Sequence, residues 1–219
     1  VHTERAVLNK IEIAGGAVEV KEKIIKAALR IFMMKGFDAT SMSDVVAQTK
    51  LSKGGIYHHF KNKKDLFLQC IDFMFKEFVK WEEEMYSQEM GIKEILHTYL
   101  SSLGVIHQFV CSISDSQDVN IDNFYKLMMD AFLKFPEIKQ KHFQSHERNM
   151  KNLVKMLESA KEAGVIKSGV DCSTLGFMIN ALAEGTIMYH ILNEKINLEE
   201  VGNKLFTTLW NGISTENEI

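Results

Sequence analysis

Apolar residues recur at three- and four-residue intervals along nearly the whole chain, a spacing that predicts helices. Over KEKIIKAALRIFMMKGFDAT, residues Ile24, Ile25, Ala28, Leu29, Phe32 and Met33 form one stripe, ended by Gly36 with Phe37 as a core plug. From Asp65 the same period continues through Leu66, Phe67, Ile71, Met74, Phe75, Phe78 and Trp81. Gly91 begins a break; 92–110 reads as the next helix and SISDSQ at 112–117 as a polar loop. NFYKLMMDAFLKF then runs to Pro136, where a helix is expected to stop. A long amphipathic helix is predicted over 137–163, closed by Gly164, and two final helices over 173–192 and 198–211.

The stretch SMSDVVAQTKLSKGGIYHHFKNKKDLF, from Ser41 to Phe67, breaks this pattern. Ser41 suits an N-cap, and Asp44 three residues on completes a capping box. Val45, Val46 and Ala47 give that helix a buried side, and Lys50-Leu51-Ser52 turns the chain. Ser52 then caps a second helix over Lys53–His59, too short and polar for a core element. Gly54 and Gly55 weaken it by roughly 1 kcal/mol each, in return for close approach of backbone to a large partner. With Lys53, Tyr57, His58 and His59 beside them, these residues suit the major groove of DNA. Thr40, Ser41 and Ser43 lie at a helix N-terminus, where hydroxyls and backbone N–H groups favour a phosphate. Ile56 and Phe60 read as core.

This stretch, with Thr40 before it and the amphipathic helix ahead, resembles the DNA-binding signature of TetR/AcrR-type transcriptional regulators. FPEIKQKHF and LESAKEAGVI are weaker echoes of the same family. The resemblance implies an all-α chain: an N-terminal three-helix helix-turn-helix domain over 20–66, then a helical-bundle ligand-binding and dimerisation domain over 67–219. It places Lys53, Gly55, Tyr57, His58 and His59 against DNA and Lys63 against a phosphate. It also implies a homodimer through the last two helices, about 173–192 and 198–211, gripping a palindromic operator. A small apolar or amphipathic effector would release it, making it a repressor. Lys50 is a departure, standing where the family usually has a glycine at the inter-helix turn.

Charge sharpens this picture. The chain carries a net charge of −3, yet Val20–Leu66 holds ten basic residues against four acidic ones. A basic head on an acidic body places the phosphate-facing surface in the first third. No run approaches the ~18 uninterrupted apolar residues of a membrane span, VHTERAVLNK has no signal-peptide core, and three scattered cysteines fit a reducing cytoplasm. A cytoplasmic protein without a membrane partner is expected. Residues 1–19 fit the family poorly, and two readings stand open. One is a minor-groove arm using Arg5 and Lys10; the other is a translated ribosome-binding stretch ahead of an initiator at Val18 or Val20.

Met74, Phe78, Leu103, Phe124, Met128, Met150, Phe177 and Met178 are candidates to line an adaptable apolar pocket, against the plainer reading that they are core. Asn180 and Glu184, one turn apart, would face solvent or an interface; Gly176, Ala181, Ala183 and Gly185 would let helices approach closely. His142/His146 and His107/Cys111 each have the i, i+4 spacing of a helical chelate. They frame the alternative, a metal- or redox-responsive regulator of the same fold. No metal site or cofactor is expected, and with no nucleophile–base motif, phosphate loop or carboxylate pair the chain does not read as an enzyme.

Overall fold

The computed structural model describes residues 2–85 and 90–216, with side chains described from residue 18 onward except at 82, 83 and 85. Arg5 and Lys10 therefore lie outside the described side chains. The architecture is all-α: α1 (His2–Ala39), α2 (Met42–Thr49), α3 (Lys53–His59), α4 (Lys63–Met85), α5 (Ile92–Ser101), α6 (Ile106–Ser114), α7 (Ile121–Lys134), α8 (Pro136–Glu162), α9 (Cys172–Leu192) and α10 (Leu198–Ile213). Among the described residues the only extended pairing is an isolated antiparallel bridge between Ile166 and Ser214.

Two compact units emerge. The first joins Val1–Phe78 to Val110–Lys134; the second joins Val79–Phe109 to Phe135–Ile219. In the first, the predicted stripe on α1 is buried as a block, together with Val45, Ile56, Phe60, Leu66, Phe67, Ile71 and Met74. Its centre is aromatic: Phe67 meets Phe32 and Phe37 edge-on, both at 4.9 Å between ring centroids. Gly36 takes φ +78°, so α1 kinks there and turns Phe37 inward. Sequence order assigns α7 to the C-terminal body, yet it packs along α1. Its Leu127, Met128 and Ala131 are buried, while Lys134 pairs with Asp38 and Arg30 with Asp118.

The second unit is built on Leu96, Leu157, Ala160, Ile166, Leu175, Ile179, Trp210 and Ile213, drawn from α5, α8, the loop after it, α9 and α10. Two glycines set its closest crossings. A Cβ at Gly202 on α10 would stand 2.1 Å from the Leu100 carbonyl oxygen on α5; one at Gly176 would meet Met150 and Val154 of α8, both at 3.2 Å. Gly176 and buried Ala183 thus serve packing inside the chain, whereas Ala181 is exposed and Gly185 faces open space. By length and composition α9 is apolar enough to cross a bilayer, although Asn180 and Glu184 interrupt it. Its buried side is committed to this core.

Two expected boundaries move. The helix expected over 92–110 breaks into α5, a 3-10 turn at Ser102–Val105, and α6. Ser101 and Ser102 turn their hydroxyls back onto the carbonyls of Thr98 and Tyr99, which competes with straight helix. The expected loop at 112–117 starts late, because buried Ser114 caps the Val110 carbonyl (2.8 Å) and only Asp115, at φ +49°, ends α6. Pro136 both stops α7 and opens α8 as its first residue, where its missing N–H costs nothing.

The capping box at α2 is complete. The Asp44 carboxylate accepts from the Ser41 backbone N–H (2.7 Å), the Asp44 N–H donates to Ser41 Oγ (3.1 Å), and Lys35 pairs with the same carboxylate at 2.8 Å. The lysine, then the serine, hold the Asp44 carboxyl well below the ordinary carboxylate range.

Two stability predictions follow from these contacts. Gly202→Ala should cost about 2–3 kcal/mol in urea unfolding, because the new methyl meets backbone. Gly212→Ala on the same helix, with nothing within 4 Å, should gain up to about 1 kcal/mol; equal effects would refute the crossing. Asp44 titrates lower folded than unfolded, so its contribution is present above its unfolded pKa of about 3.9 and lost below it. The melting-temperature gap between the native chain and Asp44→Asn should therefore be open at neutral pH, start to narrow as pH falls below about 4, and close only as pH falls through the lower folded pKa. A gap independent of pH would contradict the ion-pair assignment.

Candidate nucleic-acid interface

Helix α3 has seven residues, too few to stand alone, and its position is fixed from both ends. At its start, Lys50 caps α2 in the left-handed region (φ 57°, ψ 18°), while its N–H still reaches the Val46 carbonyl. A lysine thus adopts the conformation that glycine would reach more cheaply. Thr49 Oγ1 donates to the Val45 carbonyl (2.8 Å) and steadies the turn. Ser52 caps α3 by accepting the Gly55 N–H at 3.1 Å. At its far end Phe60 closes the helix, and Ile56 and Phe60 are wholly buried.

That anchoring turns the opposite side outward. Lys53, Gly54, Tyr57 and His58 share the exposed face; Tyr57 is 43% exposed. A Cβ at Gly54 would meet nothing within 4 Å, so its backbone is open to a partner, and Gly55 is exposed beside it. The Lys53 ammonium lies 5.8 Å from the Tyr57 ring centroid, within cation–π reach, and keeps phenol and charge together. His59 is half-buried, edge-on to His58 at 5.2 Å and beside the Phe60 ring. Burial, then the neighbouring charges of His58 and Lys21, push its pKa down. An exposed helix presenting donors and aromatic surface, with no apolar patch, can hydrogen-bond base edges and phosphates.

Three expected phosphate contacts look different in the fold. Thr40 is 2% exposed and donates its hydroxyl to the Gly36 carbonyl at 2.7 Å. Ser41 uses its hydroxyl within the capping box; Ser43 is exposed. Lys63 points inward: its ammonium donates to the carbonyls of Phe37 (2.8 Å) and Asp38 (3.2 Å) and sits 4.4 Å from the Phe37 ring centroid. Spacing alone could not reveal this, because the acceptors lie some 25 residues upstream and are end-of-helix carbonyls.

The apolar candidates are divided between the two units. Met74 and Met128 are buried and Phe78 and Phe124 half-buried in the first; Leu103 is buried and Met150 half-buried in the second. Phe177 (68%) and Met178 are exposed on α9 instead of lining an enclosed cavity. An open depression of about 460 Å³ in the second unit is lined by Ile92, Lys155, Met156, Ser159, Ala160 and Val165, none of them anticipated. Asn180 is engaged inside the chain, accepting from Tyr99 Oη at 3.0 Å and donating to the Gly176 carbonyl.

For metal or redox chemistry the arrangement is poor. His142 and His146 stack at 6.4 Å, but among the described residues no group of three or more His, Cys, Asp or Glu could hold an ion. Cys70, Cys111 and Cys172 are buried, and burial pushes the thiols of Cys70 and Cys172 up, toward the unreactive protonated form.

Comparison with known proteins agrees with this geometry. Residues 24–70 match the family model described as bacterial regulatory proteins, tetR family. QacR, an HTH-type transcriptional regulator of Staphylococcus aureus, is 33% identical over 76 residues, 35% of this chain and 39% of that protein. The chain matches less than half the length of QacR and of two further curated regulators. Solved structures extend the likeness in fold: a TetR-family regulator from Cytophaga hutchinsonii has a TM-score of 0.73 at 21% identity, covering 92% of this chain and 98% of that one. FadR from Bacillus subtilis, in complex with stearoyl-CoA, has a TM-score of 0.65 at 23% identity, covering 87% and 98%. With its capped turn and its outward α3, the segment 24–70 carries the helix-turn-helix domain of the TetR family of bacterial regulatory proteins, and the chain as a whole shares the fold of solved TetR-family regulators.

Proposed function

We propose that this protein is a homodimeric repressor that binds a palindromic operator and is released by a small amphipathic effector. The exposed face of α3, anchored by buried Ile56 and Phe60, carries the reading. Lys53, Tyr57 and His58 read the major groove, and Gly54 and Gly55 allow the backbone close to it. One seven-residue helix makes too few contacts for tight, specific binding, and a two-fold pair on half-sites 34–36 Å apart doubles them.

Support for the dimer comes from α9. Phe177, Ala181, Glu184, Gly185, Met188 and Leu192 recur at helical spacing along its outer side, and Leu192 is 75% exposed. Such a stripe marks a contact surface, and in an isologous pair the same stripe covers itself. The outer side of α10 is more polar, with Lys204, Thr207, Thr208 and Asn211 exposed, so α9 supplies most of the apolar contact. An amphipathic effector fits the likeness to a regulator solved with stearoyl-CoA. Effector binding would shift the balance of states by no more than its differential affinity for them.

Two measurements test this. Against a duplex that the protein itself selects from a random pool, Lys53→Ala or Tyr57→Ala should weaken binding by about 1–3 kcal/mol and relax sequence preference. Unchanged anisotropy titrations would remove α3 from the interface. Phe177→Glu combined with Leu192→Glu should convert a species of twice the chain mass into single chains in sedimentation, with loss of tight operator binding. A native chain that sediments as a monomer at operator-binding concentrations would overturn the dimer.

A further inference from the structure

Several cations of the basic head are engaged within the chain. Lys26 pairs with Glu22 (3.0 Å), Lys35 with Asp44, Arg30 with Asp118, and Lys63 caps carbonyls. Lys21, at the start of the described side chains of α1, is different. Among the described residues no carboxylate lies within ion-pair distance of it, and its ammonium stands 5.8 Å from the ring centroid of buried Phe60. That ring also touches His59, the last residue of α3. Next in the chain, exposed Lys61 leads into the N-terminus of α4.

One carboxylate, Asp65, sits near this group and is already engaged. It accepts the Lys61 backbone N–H at 2.8 Å and the Gln69 amide at 2.9 Å. The ammonium groups of Lys21 and Lys61 act on it only through their charge. Lys21 therefore stands near both the His59 imidazole and Asp65, with the Lys61 side chain near the same, already occupied, carboxylate. Like charges gathered in this way repel, and an arriving anion relieves that repulsion. Phosphate is the anion expected beside the far end of a groove-reading helix.

We propose that Lys21, His59 and Lys61 form a phosphate-binding corner at the C-terminal end of α3, with Lys21 contributed from α1, and that this corner fixes how deeply α3 seats in the groove. The inference rests on the α3–DNA reading above and adds residues from outside the helix-turn-helix. Lys63, which resemblance places on a phosphate, also ties α4 to the end of α1.

The test is the salt dependence of binding to the duplex selected from a random pool, measured with the full chain. Lys21→Ala should raise Kd several-fold and reduce the slope of log K against log salt by about one per head, and Lys21→Arg should restore both. Lys26→Ala removes the same charge from the same helix at a paired site and should leave the slope unchanged. A Lys21→Ala slope equal to that of the native chain, with Lys53→Ala still impaired, overturns the corner alone. Equal losses for Lys21→Ala and Lys26→Ala overturn it too, since the effect would then be net charge and not contact. A native chain with no salt-dependent affinity for any duplex overturns the corner and the DNA reading together.

Discussion

The exposed face of α3 exists only because its other side is buried. A helix of seven residues with two adjacent glycines lies far below the length at which helices hold together in water. Ile56 and Phe60, both fully buried, supply what the backbone cannot. The aromatic cluster of Phe32, Phe37 and Phe67 stiffens the core of the same unit. Gly36 makes the cluster accessible, since only its positive φ lets the chain bring Phe37 back onto it. Lys63 then closes the corner by saturating the carbonyls of Phe37 and Asp38 and covering the Phe37 ring.

Charge in this unit is sorted by task. The paired cations join elements: Lys35 ties α1 to the start of α2, and Arg30 and Lys134 tie α1 to α7 and the loop before it. These pairs are largely exposed, so each contributes little to stability by itself; they fix register more than they add free energy. Lys53 on α3 and Lys21 beside its far end carry no such pairing among the described residues.

The second unit follows another logic. Its core closes through backbone proximity, α10 lying against α5 at Gly202 and α9 against α8 at Gly176. Those crossings leave α9 with an apolar side that its own unit does not cover. Phe177 and Met178 lie exposed on that helix.

Much of the first unit was legible in the chain itself, because its determinants are local. The capping box at Ser41 and Asp44, the Ser52 cap, the turn at Lys50 and the stripe from Ile24 to Met33 depend on residues within a few positions of one another. Helical period and cap chemistry read such relations directly. The hydroxyls of Ser101 and Ser102 are also local, but apolar period outweighs them in a linear reading, which runs the helix on through the break after α5. What folding alone decided is the partner of each long polar side chain. Thr40, Lys63 and Lys21 are all polar residues near a helix end, indistinguishable by type and spacing; one is buried on a carbonyl, one caps a helix end, and one remains free of any ion pair among the described residues. Sequence fixes which residues can donate, but the acceptor of a flexible side chain lies wherever the tertiary path brings another segment, and that path depends on contacts between residues far apart along the chain.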